Sequence, residues 1–312
     1  MHPAYSVILF TTASGAGYGL LMLISLACFM GVLPESPVYG FVSMALSLGL
    51  ITIGLLSSMA HLGHPERSWR AVSQWRTSWL SREGVFAILT YVPAGIFGIS
   101  WVFFGKLDGF VPYVALLTGI LSVVTVYCTG MIYASLRTIS AWNQKMTAPN
   151  YIIIALASGA ILQVLLLTIF KQVNSSALGL ALMLAATAMV AKWLYWVKID
   201  RTPIGYTVEQ AIGLKGQGKI RQIEPAHTQP NYVMREMGYA VARKHSRQMR
   251  MLSTLLCFIV PAVCMVLSLG MTEPLFFASI ATASLAVGLV MERWLFFAEA
   301  VHVVTLYYGN SQ

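Results

Sequence analysis

The chain has 312 residues, of which 57% are hydrophobic and only 10% charged, and its mean hydropathy is +0.72. That balance excludes an ordinary soluble domain or a disordered chain, and a bilayer core of about 30 Å takes roughly 20 apolar residues per helix. The net charge of +9 therefore has to reside in the connections, and it points to lipid headgroups or an acidic protein face, with no nucleic-acid partner expected.

The first apolar run spans about 5 to 30 and follows MHPAYSVILF, which lacks the Lys or Arg that opens a secretory signal; it reads as a retained anchor. A short turn, GVLPESP (31–37), leads to a second run at about 38 to 61, which ends on His61. The loop that follows, 62–83, carries Arg67, Arg70, Arg76 and Arg82, with Trp69, Trp75 and Trp79 among them. Glu83 opens the third run (84–104), and GKLDG (105–109) turns the chain into the fourth (110–135). A second basic connection, 136–149, contains Arg137 and Lys145. Runs five (150–171) and six (176–198) are joined by KQVNSS. The long segment 199–249 holds the largest share of cations, among them Arg243, Lys244 and Arg247, and ends in an amphipathic-looking MREMGYAVARKHSRQMR. Runs seven (251–270) and eight (275–298) are joined by GMTEP.

The expectation is an all-α membrane protein of about eight transmembrane helices in hairpin pairs, a single integral membrane anchor domain over 1–312. Lys and Arg concentrate in cytoplasmic connections, so loops 62–83, 136–149 and 199–249, and with them both termini, are expected in the cytoplasm. A structureless loop as long as 199–249 is uncommon in a compact protein, which favours contact with a partner. Cys28, Cys128, Cys257 and Cys264 all lie in apolar runs without metal-site spacing and read as small hydrophobes.

Ionisable residues at or within a span are the best pointers to function, because each is costly unless paired or hydrated. They are His61, Glu83, Glu292, Arg293, Glu299 and His302, all expected at the cytoplasmic rim. His61 and Glu83 bracket the first basic loop and suit proton exchange with a quinone headgroup; the competing reading is a helix cap for His61 and an ion pair of Glu83 with Arg82 or Arg76. The tryptophans fit an interfacial belt or the walls of a flat ring's pocket. Adjacent Glu292 and Arg293 point in different directions, each needing its own partner, and an interhelical salt bridge is the plainer role. Glu299 and His302 have the i, i+3 spacing of di-iron bundles, but the motif does not occur twice. A haem b at the rim, ligated by His61 and His302, is the remaining metal option.

The stretch SMAHLGHPERSWRAVSQWRTSWLSRE resembles the membrane anchor subunit of the dimethyl sulfoxide reductase family, the DmsC-like branch of the complex iron–sulfur molybdoenzymes. MIYASLRTISAWNQ (131–144), NYVMREMGYAVARKHSRQMR (231–250) and ERWLFFAEAVHVVTLYYG (292–309) extend the likeness through most of the chain. The resemblance implies an eight-helix anchor in a bacterial inner membrane that holds an iron–sulfur subunit and a molybdopterin catalytic subunit and exchanges their electrons with ubiquinone or menaquinone. It also implies that His61 and Glu83 belong to the quinone site, with Arg76 and Trp79 shaping its headgroup pocket. Arg67, Arg70, Arg243, Lys244 and Arg247 would dock the iron–sulfur partner. The long loop and its NYVMREMGY stretch look more like the anchor of cytoplasm-facing sulfite-oxidising enzymes (sulfite dehydrogenase, SoeC-like), so electrons would run from sulfite to quinone. The rival within the family is the anchor of a dimethyl sulfoxide or polysulfide reductase that oxidises quinol. The rival from another class is a secondary transporter, which would place charged or broken-helix sites at the membrane midplane.

Overall fold

Long apolar runs in lipid leave the backbone nothing to bond but itself, so each closes into a helix. The computed structural model describes residues 4–60, 62–202, 206–214, 220, 223–224, 229, 245–270 and 273–308. Among them are eight helices long and apolar enough to cross a membrane: α1 (Tyr5–Phe29), α2 (Pro37–Met59), α3 (Trp79–Phe104), α4 (Val111–Ala134), α5 (Thr147–Ile169), α6 (Ser175–Asp200), α7 (Ser246–Leu269) and α8 (Pro274–Ala298). The described residues contain no strand.

Polar residues at the edges determine where helices start. Pro37 occupies the first turn of α2 behind Ser36, whose hydroxyl accepts from the Tyr39 amide, and Asn174 caps α6 by accepting from the Ala177 amide at 2.8 Å. Gly105 ends α3 at φ +61°, a left-handed conformation that favours glycine. In α7, Pro261 would press on the carbonyl of Cys257 four residues earlier. The helix widens into a π turn over Leu255–Ile259, and Ser284 of α8 donates to the Leu256 carbonyl at 2.9 Å.

Lipid supplies no hydrophobic drive between helices, so close packing relies on small side chains. α1 runs through the middle of the bundle: most of its residues are buried, and it touches α2, α4, α5 and α8. At its crossing with α5, Gly19 faces Ala155 and Gly159 faces Gly19, each so close that a Cβ would overlap backbone. Gly159→Ala is expected to destabilise the protein by about 2 kcal/mol, read as a lowered thermal midpoint in detergent. Gly95→Ala, where a Cβ meets nothing within 4 Å, should not; equal effects at the two positions would contradict the crossing.

The connections gather at two ends. At one, Trp101 Nε1 donates to the Pro34 carbonyl at 3.1 Å, and the turns 31–37 and 105–109 share a cleft lined by Leu33, Glu35, Lys106 and Asp108. At the other, the residues after α8 reach two separate loops: the Val303 amide donates to the Thr138 carbonyl at 3.1 Å and Tyr307 Oη to the Ala211 carbonyl at 2.7 Å. The basic connections 136–149 and 199–249 thus meet the C-terminal 3-10 turn, Val303–Tyr308.

Candidate functional site

The first basic loop is folded, not free. It contains a 3-10 helix, Pro65–Val72, which the Ser81 hydroxyl ties to α3 by donating to the Ala71 carbonyl. Ser78 caps α3, accepting from the Ser81 amide at 3.4 Å. Arg82 then reaches back, its Nε donating to the Trp75 carbonyl at 3.0 Å and its Nη2 to the Arg76 carbonyl at 2.6 Å. Its guanidinium also lies 4.3 Å from the centre of the Trp79 ring, and Trp79 meets Tyr127 of α4 edge to face at 5.9 Å. One cation therefore fastens the loop over the mouth of the α3–α4 pair.

Glu83, the next residue, faces inward because it belongs to the buried stripe Glu83, Ala87, Thr90, Ala94, Phe97 and Trp101, which repeats at helical spacing. It is 4% exposed. Its Oε1 accepts from Thr129 Oγ1 of α4, and among the described residues no cation lies within ion-pair distance of it. The alternative of a pair with Arg82 or Arg76 is not realised: the Arg82 head is committed to carbonyls, and Arg76 is exposed, 5.6 Å from the centre of the Trp75 ring. Glu83 also lies in the second turn of α3 and not ahead of it, since the Ser78 cap starts the helix at Trp79.

Thr129 lines a narrow cleft between α1, α4, α5 and α8, together with Thr11, Thr12, Ser14, Tyr151, Ser158 and Arg293. Beyond it lies a cluster whose lysine the sequence reading does not single out: Lys192 of α6 forms an ion pair with Glu292 Oε1 of α8, and Arg293 Nε stands 3.3 Å from Glu292 Oε2. The three side chains are buried, at 2%, 0% and 3% exposure. Charge contacts hold the Glu292 oxygens without well-aligned hydrogen bonds. The Arg293 guanidinium lies 3.8 Å from the centre of the Tyr151 ring, and Lys192 Nζ lies 4.6 Å from that of Tyr195. The interhelical salt bridge expected here is the one between Glu292 and Lys192. The expectation that Arg293 points to a partner of its own is corrected: it curls back onto the same carboxylate.

At the rim, Arg250 of α7 joins Asp200 and Glu299 at 2.7 and 2.8 Å. Burial pushes the Glu299 carboxyl above the ordinary carboxylate range, partly offset by Arg250. Glu299 and His302 share no helical face, because α8 ends at Ala298. His302 Nδ1 accepts from the Val304 amide at 3.1 Å, and burial holds the imidazole below its usual value. A group so depressed contributes stability above the ordinary histidine range and loses it as pH falls. Once protonated, Nδ1 cannot accept, so amide exchange over Val303–Tyr308, corrected for intrinsic rate, should speed up on acidification, and in His302→Ala it should be fast throughout. Protection independent of pH in the unsubstituted chain would refute this.

His61 lies outside the described residues, as do Arg243 and Lys244. Trp79 sits at the mouth of the α3–α4 pair. Arg67 is exposed, 3.9 Å from Glu66, and Arg70 is exposed, 5.4 Å from the centre of the Trp69 ring. Arg247 is exposed beside a cavity of about 860 Å³ between α6 and α7 that Trp193, Trp196 and Arg250 also line. All four cysteines are buried and free. The signal for Lys192 in sequence is a charge inside the apolar run 176–198, at a depth comparable to Glu292; Thr129 and Tyr151 carry no mark in sequence.

The DMSO reductase anchor subunit (DmsC) family model matches residues 1–309. The C subunit of the sulfite dehydrogenase of Allochromatium vinosum is 31% identical, the alignment covering 99% of this protein and 99% of that one. The C polypeptide of the anaerobic dimethyl sulfoxide reductase of Haemophilus influenzae is 22% identical over 53% of this protein and 59% of its own length.

Proposed function

The protein belongs to the DMSO reductase anchor subunit family, and from that premise we propose that it is the quinone-reactive membrane subunit of a sulfite dehydrogenase. In this reading an iron–sulfur subunit and a molybdopterin subunit sit on the cytoplasmic side of a bacterial inner membrane, and electrons run from sulfite through them into quinone. The helices form hairpin pairs with both termini in the cytoplasm. Sulfite is favoured over a sulfoxide because the sulfite dehydrogenase relative aligns end to end, whereas the dimethyl sulfoxide reductase relative aligns over about half of each sequence.

The observation that carries the reading is Glu83: a buried carboxyl held by one hydroxyl, with no cation to neutralise it among the described residues, beneath a basic loop fastened to the same helix. Such a group is expensive as a structural element and useful as a proton donor and acceptor. The donor set fits a quinone: a carboxyl and a hydroxyl to exchange protons, the Trp79 indole and Tyr127 phenol as flat neighbours. When bound, a quinone headgroup supplies the site with an acceptor of two electrons and two protons. The protein's part is to hold that headgroup against Glu83 and His61, deliver protons, and keep the Trp79–Arg82 mouth closed to bulk water. Arg76 borders the pocket, and Arg67, Arg70, Arg243, Lys244 and Arg247 dock the iron–sulfur partner.

His61→Gln in the intact complex tests the assignment. Sulfite oxidation with a soluble artificial acceptor is expected to persist while quinone reduction falls by about a hundredfold; survival of both activities would remove His61 from the site. Reporter fusions within residues 63–82 should score as cytoplasmic, and an external score would overturn the sidedness.

A further inference from the structure

The quinone reading leaves a question of supply: a carboxyl 4% exposed cannot take its next proton directly from water. We propose that the cleft between Thr129 and Arg293, together with the Lys192–Glu292–Arg293 cluster, is a water-assisted proton relay joining Glu83 to the rim beneath the basic loops. The proposal rests on the assignment of Glu83 to the quinone site.

Three features carry it. First, Thr129 belongs to both places, since its hydroxyl donates to Glu83 and its side chain lines the cleft. Second, the other walls are hydroxyls that keep acceptor capacity. Thr11 and Thr12 donate back to carbonyls of α1, as does Ser14, and Ser158 does the same in α5, which leaves each hydroxyl oxygen able to accept. Tyr151 Oη is buried without a well-aligned hydrogen-bond partner, and the Arg293 guanidinium lies over the face of its ring. A donor with no acceptor, in one cleft with hydroxyls that can still accept, is the surrounding a bridging water satisfies, and the cleft volume of about 10 Å³ is on the scale of one water molecule.

Third, the ion cluster continues the path. Arg293 forms the far wall, Glu292 touches Arg293 and Lys192, and Tyr195 of α6 and Cys257 of α7 complete its surroundings. The same two helices carry the rim acids. Glu299 follows Glu292 by two turns, about 10 Å, and Asp200 follows Lys192 by about 12 Å; both rim acids meet at Arg250, and Asp200 is exposed. Buried ion clusters in a span are costly, and an apolar replacement is often as stable, so packing alone does not account for three charges here.

The balance is simple. A quinone reduced by two electrons from the iron–sulfur partner takes two protons. Each proton leaving Glu83 is replaced through Thr129 and the cleft water, and the carboxylates Glu292, Glu299 and Asp200 bring it in from bulk solvent, while Arg293 keeps its charge and holds Glu292 in place. Only O–H bonds form and break along this path, and the protein returns to its starting state.

Tyr151→Phe removes one oxygen and keeps the ring under Arg293, and Lys192→Met keeps a balanced Glu292–Arg293 pair. In the intact complex each is expected to slow quinone-linked turnover about tenfold, most at alkaline pH, with a larger solvent deuterium isotope effect and an unchanged KM for quinone. Sulfite oxidation by a soluble acceptor should be unaffected. If both variants keep the unsubstituted rate, pH profile and isotope effect while Glu83→Gln loses quinone turnover, the relay is wrong and the quinone site stands. If Glu83→Gln keeps quinone turnover, the site assignment beneath the relay fails. Should Lys192→Met not assemble, Tyr151→Phe decides.

Discussion

Glu83→Gln is expected to lower quinone-linked turnover of the complex by at least about a hundredfold, while electron delivery to a soluble acceptor and the thermal midpoint change little. The amide keeps the shape of the side chain and can still accept from Thr129 Oγ1, so packing against α4 survives. What it loses is the capacity to bind and release a proton. The removal of an unpaired buried carboxyl also relieves a cost, so stability should hold or rise slightly. Assaying both acceptors on one preparation separates the chemistry from assembly. A variant that lost both activities would indicate a structural role, and one that lost neither would show that protons reach quinone elsewhere.

The second large effect is on stability and has a distinctive asymmetry. With Lys192 and Arg293 on either side of Glu292, the cluster carries two cations and one anion. Glu292→Gln leaves two buried cations without an acid between them and is expected to cost about 3–5 kcal/mol, enough to abolish assembled protein in the membrane or to lower its melting temperature sharply. Lys192→Met leaves one anion and one cation and should cost only about 1 kcal/mol. The order matters more than either value: equal losses, or a worse Lys192→Met, would contradict the charge arrangement. Aromatic rings strengthen the cations' hold, since Lys192 Nζ lies within 4.6 to 5.7 Å of Tyr195, Trp196 and Phe296.

How far the fold can be read from residues follows from what hydropathy measures. Runs of apolar residues locate all eight spans to within a few positions, because a helix in lipid needs a set length and little else. The errors fall where polar residues extend a helix. α3 begins at Trp79 and not at 84, since Ser78 caps a turn containing Arg82 and Glu83, and α7 begins at Ser246 through the polar Arg247 and Arg250. Hydropathy penalises those turns even though Arg82 is satisfied by loop carbonyls and Arg250 by two acids.

The site is legible in part. Glu83 stands out as a carboxylate at the start of an apolar run, and its place on the buried stripe with Ala87, Thr90 and Ala94 follows from helical spacing. Its partner Thr129 does not, because nothing in the residues tells which face of α4 meets α3. Glu292 and Arg293 are visible, but adjacency suggests divergence; a flexible guanidinium bridges one residue to the next when both are shut away from water. Lys192 escapes notice, since a single lysine in KWLYW barely lowers the hydropathy of its run. Its importance depends on α6 and α8 delivering opposite charges to one depth, which is a tertiary fact.

The most direct test of the central claim, that this protein is the membrane anchor through which a molybdenum and iron–sulfur enzyme reaches quinone, is its affinity purification in mild detergent with metal and polypeptide analysis of the product. The account predicts two further polypeptides, molybdenum and iron in fixed ratio to the anchor, and sulfite-dependent reduction of an added quinone. Recovery of the anchor alone, free of molybdenum, iron and quinone-reductase activity, would contradict it.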